Sequence, residues 1–369
     1  MNLYKHLIRP AAFRLDPERA HDFAIDVASA VSDLPFVEAV LSRYTRSRDP
    51  RLRVSFSGLD FENPIGLAAG YDKSGRAVDG MAALGFGHVE VGSVSIDPSD
   101  GNPKPRLFRL PDDEAVIVHY GLQNDGALVV RDRLVRRQCD VPVGVNIVKT
   151  NRGIGASPES TDQIIDEYIR AVRSLDDSAD YLTLNLSCPN TEDGRDFFAD
   201  VEHTRLLLSG LSDHPIASPL FLKISPLGSD RELDHLLDVI DGFEFLDGFV
   251  FNLAPGVHAD LRSPPAMWSR LPGALAGKPV EQQMNERIRF MYDRMDHHRY
   301  RIIGAGGVTS AADAYRKIRL GASLVQLLTA LVYEGPLIVK RINEGLSDLM
   351  DRDGIGHISE AVGADTEKG

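Results

Sequence analysis

The stretch PIGLAAGYDK, residues 64–73, is a short apolar run that ends at Gly70 and the charged pair Asp72 and Lys73. Such a run is too short for a helix and is typical of a buried β-strand. The same order of apolar run, break and amphipathic stretch recurs along most of the chain. The eight runs predicted as strands are Pro64–Ala68, His88–Gly92, Val143–Ile147, Tyr181–Leu186, Leu220–Ile224, Gly248–Asn252, Arg301–Ala305 and Ser323–Leu327.

Eight such alternations predict parallel strands joined by helices, and eight is the number of strands that closes a barrel. The predicted fold class is therefore α/β, a (β/α)8 TIM barrel with an N-terminal helical extension. The expected divisions are a helical extension at residues 1–50, a barrel at 51–350 and a flexible tail at 351–369. A barrel of this kind carries its functional side chains at the carboxyl ends of its strands.

The N-terminal extension has a clear helix start, with Asp16 as the capping residue and Pro17 at the first helical position. The face that follows is apolar and contains Phe23 and Val27. Two interpretations remain open: a helix pair that plugs the barrel, or an amphipathic module that rests on a membrane surface.

Composition excludes several classes of protein. The 369-residue chain has a net charge of −13, so we expect no nucleic-acid partner, although a local cluster of Lys can still bind a small anion. The two cysteines are too few for a disulfide framework or a metal cluster, and no metal is expected. No run of 18 apolar residues occurs, which predicts a cytoplasmic protein or one that is peripheral on the cytoplasmic face of the inner membrane.

Polar side chains stand at the ends of most predicted strands and are expected to converge on a ligand. They are Ser93, Asn146, Asn185, Lys223, Asn252 and Thr329. The run Gly304–Gly307 precedes a helix start, so its backbone N–H groups could bind a phosphate. A buried Lys223 would suit a reduced flavin, and no dinucleotide fingerprint is present, which favours a mononucleotide.

Two connections are longer than a barrel needs, and both follow the carboxyl end of a strand. Residues 94–142 contain a hairpin-like pair, and residues 253–279 are rich in Pro, Gly, Ala and Ser. Long loops in compact domains are usually functional. We interpret both as lids over the barrel mouth.

Cys188 follows the fourth strand in the stretch NLSCPNT, residues 185–191. A thiol in a loop at the mouth, between amides and a proline, can act as a base toward a C–H bond beside a carbonyl. Cys139 lies before the third strand and is interpreted as a small packing residue.

Several motifs together resemble class 2, quinone-dependent dihydroorotate dehydrogenase. They are FENPIGLAAGYDK (61–73), GNPKPRLFRL (101–110), GASLVQ (321–326) and, in the N-terminal extension, LDPERAH (15–21). The resemblance covers about residues 1–345. It implies an enzyme that binds FMN, oxidises dihydroorotate to orotate in pyrimidine biosynthesis and passes the electrons to a membrane quinone.

The resemblance also implies roles for individual residues. FMN would contact Ala69, Gly70, Lys73, Ser93, Asn146, Asn185, Lys223, Gly277, Gly306, Gly307 and Thr329. The substrate would contact Lys73, Tyr120, Gly121, Asn185, Asn190 and Asn252. Cys188 would be the catalytic base, assisted by Lys73, and His21 with Arg109 would border the quinone tunnel.

The sequence departs from the family pattern at several positions. Cys188 stands where class 2 enzymes usually have Ser. Val118 replaces an Asn that helps to hold the pyrimidine, Phe251 and Leu253 flank Asn252 where Thr is usual, and Leu328 replaces a Tyr. Two alternatives therefore remain: a related flavin oxidoreductase that acts on a different cyclic amide or unsaturated small molecule, and a flavin-binding protein without turnover.

Overall fold

A computed structural model describes residues 3–153, 155–187, 197–257 and 259–366. Cys188 and Asn190 lie outside these residues. The strands are β1 (Val54–Phe56), β2 (Leu59–Phe61), β3 (Ile65–Leu67), β4 (His88–Val94), β5 (Leu107–Leu110), β6 (Ala115–Val118), β7 (Val143–Ile147), β8 (Tyr181–Asn185), β9 (Leu220–Ile224), β10 (Leu246–Phe251), β11 (Ala274–Gly277), β12 (Arg301–Ala305) and β13 (Ala322–Leu327).

Eight of these strands form a closed parallel barrel in the order β3-β4-β7-β8-β9-β10-β12-β13, and β13 pairs back with β3. The bounds agree with the predicted runs to within two residues. All residues of β7 and β9 are buried, as expected for strands with side chains packed inside the barrel and helices outside it. The predicted (β/α)8 fold class is confirmed.

Amphipathic helices pack their apolar faces against the barrel, and further helices form the N-terminal extension. The helices are α1 (Arg9–Ala12), α2 (Pro17–Ser32), α3 (Pro35–Thr45), α4 (Val78–Ala82), α5 (Ala127–Leu134), α6 (Thr161–Leu175), α7 (Val201–Ser212), α8 (Asp230–Ile240), α9 (Glu281–Arg294), α10 (Ala311–Arg319), α11 (Thr329–Glu334) and α12 (Ile338–Asp353). Complete capping boxes begin α6, at Ser160 with Gln163, and α8, at Ser229 with Glu232, so these helix starts are encoded locally.

Both long connections contribute to one antiparallel sheet at the barrel mouth, in the order β11-β6-β5. The predicted hairpin is β5 with β6. Strand β11 was not predicted, because its run ALAG is short and three of its four residues are Ala or Gly, which carry little strand propensity. The antiparallel pair β1 and β2 precedes the barrel and was also not predicted, since each strand has only three residues.

The N-terminal extension begins with a π-helical turn at Tyr4–Ile8, followed by α1, α2 and α3. Asp16 caps α2 as expected, accepting hydrogen bonds from the backbone N–H groups of Glu18 and Arg19. Within α2, Ile25 and Ala28 are buried, whereas Phe23 is 66% exposed. No helix in the described ranges has the length and apolar character needed to cross a membrane.

The segment after residue 350 differs from the expected flexible tail through residue 366. Helix α12 continues to Asp353, and the side chains of Ile358 and Ala361 are buried. Arg319 of α10 pairs with Asp365 at 2.6 Å. The segment after residue 350 therefore packs against the barrel helices through a few buried apolar residues, although its overall composition is polar.

Candidate active site at the barrel mouth

One large cavity opens at the carboxyl ends of the barrel strands, with a volume of about 1170 Å³. This volume exceeds the usual range for one small ligand, which is roughly 300–1,000 Å³. Its wall includes Lys223, Gly306 and Thr329 from the barrel, and Leu7 and Phe23 from the N-terminal extension. The barrel mouth and the N-terminal helices therefore share one continuous space.

Most of the residues predicted to bind ligands line this cavity. They are His21, Ala69, Gly70, Lys73, Ser93, Arg109, Tyr120, Asn185, Lys223, Asn252, Gly277, Gly306, Gly307 and Thr329. Asn146 does not line it, because its fully buried side chain lies one layer deeper. Gly121 is likewise absent from the wall, and Cys188 and Asn190 are outside the described residues.

Three amide side chains and one hydroxyl, from four barrel strands or their ends, form a connected chain at the base of the cavity. Asn185 donates from Nδ2 to Oδ1 of Asn146 at 3.1 Å and to Oγ of Ser93 at 3.2 Å. Asn252 donates from Nδ2 to Oδ1 of Asn185 at 2.8 Å and to the carbonyl oxygen of Ser187 at 2.9 Å. Each amide has its orientation fixed by a neighbour, so the remaining polar atoms present a set pattern to a ligand.

A second polar layer lies inside the barrel and was not predicted. The buried carboxylate of Glu90 accepts hydrogen bonds from Asn146 Nδ2 at 2.9 Å and from Gln326 Nε2 at 2.7 Å. The hydroxyl of Tyr181 is 3.3 Å from the same carboxylate. Burial lowers the pKa of the neighbouring His88 to about 3, so that imidazole is neutral. The signal in the sequence was an acidic residue in the middle of a predicted buried strand.

The loop after β12 has the form of a cradle beside the cavity. Gly306 and Gly307 have φ values of +85° and +75°, and a Cβ atom at Gly307 would come within 2.4 Å of Glu281 Cβ, so both the conformation and the space require glycine. Asp313 of α10 accepts hydrogen bonds from the N–H of Thr309 at 3.0 Å and from its hydroxyl at 2.8 Å. Lys278 donates to Asp313 at 2.7 Å and so joins this loop to the end of β11.

Lys73 lies in the cavity wall, where it contacts the N-terminal extension. Its Nζ lies 3.0 Å from His21 Nε2 and 3.9 Å from the centre of the Tyr120 ring. Burial lowers the pKa of Lys73 to about 8. Burial and the charge of Lys73 also hold the pKa of His21 well below its ordinary value. Asp72 accepts hydrogen bonds from the backbone N–H groups of Arg76 and Ala77, so its carboxylate stabilises a turn.

Four of the positions that depart from the family pattern face the same cavity. Val118, Phe251, Leu253 and Leu328 line its wall. Val118 and Leu253 pack against a small apolar cluster that contains Tyr333. Arg109, at the border with the N-terminal extension, donates to the carbonyl of Ala12 at 3.3 Å and lies over the ring of Phe13. This part of the wall is therefore mostly apolar, with one guanidinium.

A closed parallel barrel with polar side chains gathered at its carboxyl-terminal mouth is the architecture of the (β/α)8-barrel enzymes. Residues 51–350 match the family model described as dihydroorotate dehydrogenase. The chain belongs to the dihydroorotate dehydrogenase family.

Comparison with individual proteins agrees with this assignment. The chain is 41% identical over 366 residues to dihydroorotate dehydrogenase (quinone) of Natronomonas pharaonis, covering 99% of this chain and 100% of that one. It is 40% identical to the protein of the same name from Roseiflexus sp., with 97% of each chain covered. The crystal structure of dihydroorotate dehydrogenase from Eimeria tenella in complex with ferulenol has a TM-score of 0.81 and 31% identity, covering 95% of this chain and 96% of that one. The predicted relationship to the quinone-dependent branch is confirmed.

Proposed function

We propose that this protein is an FMN-dependent enzyme that oxidises dihydroorotate to orotate and passes the electrons to a quinone. The observation that carries the proposal is the single cavity that joins the amide chain at the barrel mouth to the apolar N-terminal helices. Such a space can hold a cofactor and a substrate at its polar end and an apolar electron acceptor at the other.

The residues at the polar end fit FMN. The glycine cradle at Gly306 and Gly307 and the hydroxyl of Thr329 offer backbone and side-chain donors of the kind that bind phosphate. Ala69, Gly70, Ser93, Asn146, Asn185, Lys223 and Gly277 would hold the rest of the cofactor. When bound, FMN supplies an acceptor for the hydride that leaves the substrate.

The substrate would be held by Lys73, Tyr120, Gly121, Asn185, Asn190 and Asn252. Amides would donate to and accept from the pyrimidine ring, and the ammonium of Lys73 would pair with the substrate carboxylate. The catalytic base would be Cys188, which removes a proton from the substrate carbon beside a carbonyl. Asn252 holds the carbonyl of Ser187, the residue that precedes Cys188 in sequence.

The quinone would enter between the N-terminal helices, with His21 and Arg109 at its border. Large apolar side chains on this extension are exposed, including Phe36 at 82%. Such a surface suits peripheral contact with a membrane, so we place the protein in the cytoplasm or on the cytoplasmic face of the inner membrane. With a net charge of −13, no nucleic-acid partner is proposed.

The test is a flavin titration without oxygen. The purified protein should be yellow with FMN released on denaturation, dihydroorotate should bleach its absorbance near neutral pH, and a short-chain ubiquinone should restore the colour while NAD should not. A yellow protein that dihydroorotate does not bleach would contradict the proposed substrate. A protein that binds no flavin would contradict the proposed function as a whole.

The apolar wall at Val118 and Leu253 favours an alternative substrate in place of dihydroorotate. An amide edge of a ligand that faces these two side chains finds no hydrogen-bond partner on them. On this alternative the protein is a related flavin oxidoreductase that acts on a different cyclic amide or unsaturated small molecule. Reduction of the bound flavin by another dihydropyrimidine, but not by dihydroorotate, would support it. A yellow protein whose flavin none of these compounds reduces would support the lesser alternative of a flavin-binding protein without turnover.

A further inference from the structure

Helix α2 presents two polar side chains, three residues apart, to the barrel mouth. His21 lies 3.0 Å from Lys73 Nζ. Glu18 is 6% exposed, and its Oε1 lies 2.8 Å and 3.1 Å from the NH2 and Nε nitrogens of Arg106 and 3.1 Å from Lys104 Nζ. Burial opposes the ionisation of Glu18, but the hydrogen bonds from Arg106 and Lys104 outweigh it and lower the pKa of Glu18.

Arg106 uses all five of its N–H donors. Two go to Glu18, and the others go to the carbonyls of Asp100 at 2.6 Å and Asn102 at 2.9 Å and to Oε1 of Gln123 at 2.6 Å. Asp100 and Asn102 lie near the start of the segment 99–124, and Gln123 lies near its end. We call residues 99–124 the mouth segment. One guanidinium therefore ties both ends of the mouth segment to α2.

Tyr120 lies between the two contacts that α2 makes. Its ring centre is 3.9 Å from Lys73 Nζ and 5.2 Å from Arg106 Cζ. Its carbonyl accepts from the N–H of Asn102 at 2.9 Å, and the N–H of the next residue back, His119, donates to the carbonyl of Arg106 at 2.8 Å. The position of Tyr120 is thus set by the groups that Glu18 and His21 hold.

We propose that Glu18 is a positioning residue for substrate binding, acting through Arg106 to fix the mouth segment and Tyr120. The inference rests on the proposed function in one respect, that Tyr120 and Gly121 contact the substrate. The N-terminal helices would then do more than border an apolar channel. The carboxylate of Glu18 on α2 would also fix the position of Arg106, and through it the residues at the polar end of the cavity. Removing one partner of a buried ion pair leaves an uncompensated charge, which the segment can relieve only by moving Arg106 toward water.

The experiment compares two neutralised carboxylates on the same helix. Glu18→Gln removes the buried charge opposite Arg106, and Asp26→Asn removes an exposed one that pairs with Arg76 at 2.7 Å. In the FMN-loaded protein, Glu18→Gln should weaken orotate binding at least tenfold, measured by the shift of the flavin spectrum, and raise the KM for dihydroorotate with little change in kcat. FMN content should stay at the wild-type level. Asp26→Asn should change each value less than twofold.

A second readout needs no substrate. Hydrogen exchange at the N–H groups of Asn102 and His119 should be at least tenfold faster in Glu18→Gln than in Asp26→Asn, while exchange in β7 is unchanged. If Glu18 only stabilised the fold, its substitution would lower the melting temperature without a selective increase in exchange at Asn102 and His119. Arg106→Lys keeps a positive charge opposite Glu18 but loses the forked geometry, so it should give a smaller change in the same direction.

The inference is overturned if Glu18→Gln folds with unchanged exchange in the mouth segment, or with faster exchange but unchanged orotate affinity. If Glu18→Gln does not fold, Arg106→Lys decides by the same two measurements. If the wild-type protein does not bind orotate, the proposed substrate is wrong, and hydrogen exchange still decides whether Glu18 fixes the mouth segment.

Discussion

The side-chain amide of Asn252 donates to Oδ1 of Asn185 at 2.8 Å, across the mouth of the barrel from β10 to β8. Neither amide can rotate without breaking this bond, so the two residues present their free atoms as one unit. The bond connects the end of one strand to a chain of amides that reaches Ser93.

Asn252→Ala should slow flavin reduction by dihydroorotate about 100-fold, because a polar group of the substrate and Oδ1 of Asn185 would both lose a partner. FMN should remain bound. Stopped-flow reduction without oxygen measures the rate. Asn63→Ala is the matched control, since Asn63 is a buried amide that donates to the carbonyl of Gly85 away from the cavity. That variant should lose stability but keep its reduction rate.

Orotate binding should weaken above pH 8. Burial lowers the pKa of Lys73 to about 8, so the ammonium that would pair with the ligand carboxylate is lost in the free protein as the pH rises through that value. Titrating orotate affinity from pH 6 to 9.5 should show a tenfold loss per pH unit above the pKa. Lys73→Met should bind orotate weakly, and its affinity should show no change of slope near pH 8. If the change of slope persists in this variant, a group other than Lys73 causes it.

The same pKa has a consequence for stability. Since Lys73 holds its proton less tightly in the folded state than its ordinary pKa of 10.5 implies, the unfolded chain binds more protons between pH 8 and 10.5. The burial of Lys73 therefore lowers the free energy of unfolding most below pH 8, and this destabilisation decreases as the pH rises from 8 to 10.5. Lys73→Met should raise the melting temperature at pH 7 more than at pH 10, by differential scanning calorimetry.

Glu90→Leu should lower the free energy of unfolding by about 3 kcal/mol or more, because the donors of Asn146, Gln326 and Tyr181 would lose their shared buried acceptor. FMN should also bind more weakly, since Asn146 positions Asn185 and Ser93. Urea unfolding and fluorescence of released FMN are the measurements. Glu202→Leu, which removes an exposed ion pair with Arg205, should leave both nearly unchanged.

Val118→Asn tests the apolar wall. If dihydroorotate is the substrate, an amide at this position adds one hydrogen bond to the pyrimidine and should lower its KM by about tenfold, equivalent to roughly 1.4 kcal/mol. Steady-state kinetics with a fixed quinone concentration provide the measurement. A rise in KM instead would favour the alternative in which the natural substrate presents an apolar edge to Val118.

Phe36→Ser should weaken binding to vesicles of phosphatidylcholine and phosphatidylglycerol, because Phe36 is 82% exposed on the N-terminal extension and its transfer into lipid is favourable. Co-sedimentation measures the bound fraction, which should fall severalfold. Leu128→Ser is the control, since Leu128 is exposed at 58% on α5. Equal loss in both variants would contradict a membrane contact specific to the extension.

The barrel could be predicted from the local sequence pattern alone. Eight short apolar runs and the amphipathic segments between them predict the strands within two residues, because a strand buried on both faces is apolar along most of its length. The residues at the strand ends could also be placed at the mouth, because in a parallel barrel the carboxyl ends of all strands lie on the same side. Asp16 as a helix cap was equally local, since capping depends on only a few neighbouring residues.

Contacts between distant parts of the chain could not be predicted from the local pattern. The layer around Glu90, the pairing of β11 with β6, the packing of Ile358 on the barrel and the contact of Glu18 with Arg106 each join residues far apart in the chain. Ile358 gains free energy from the burial of apolar surface, whereas Glu90 and Glu18 depend on hydrogen bonds that form only when the fold brings the partners together. A charged residue in a helix or strand gives no sign of its distant partner, so these contacts could be found only once the chain was folded.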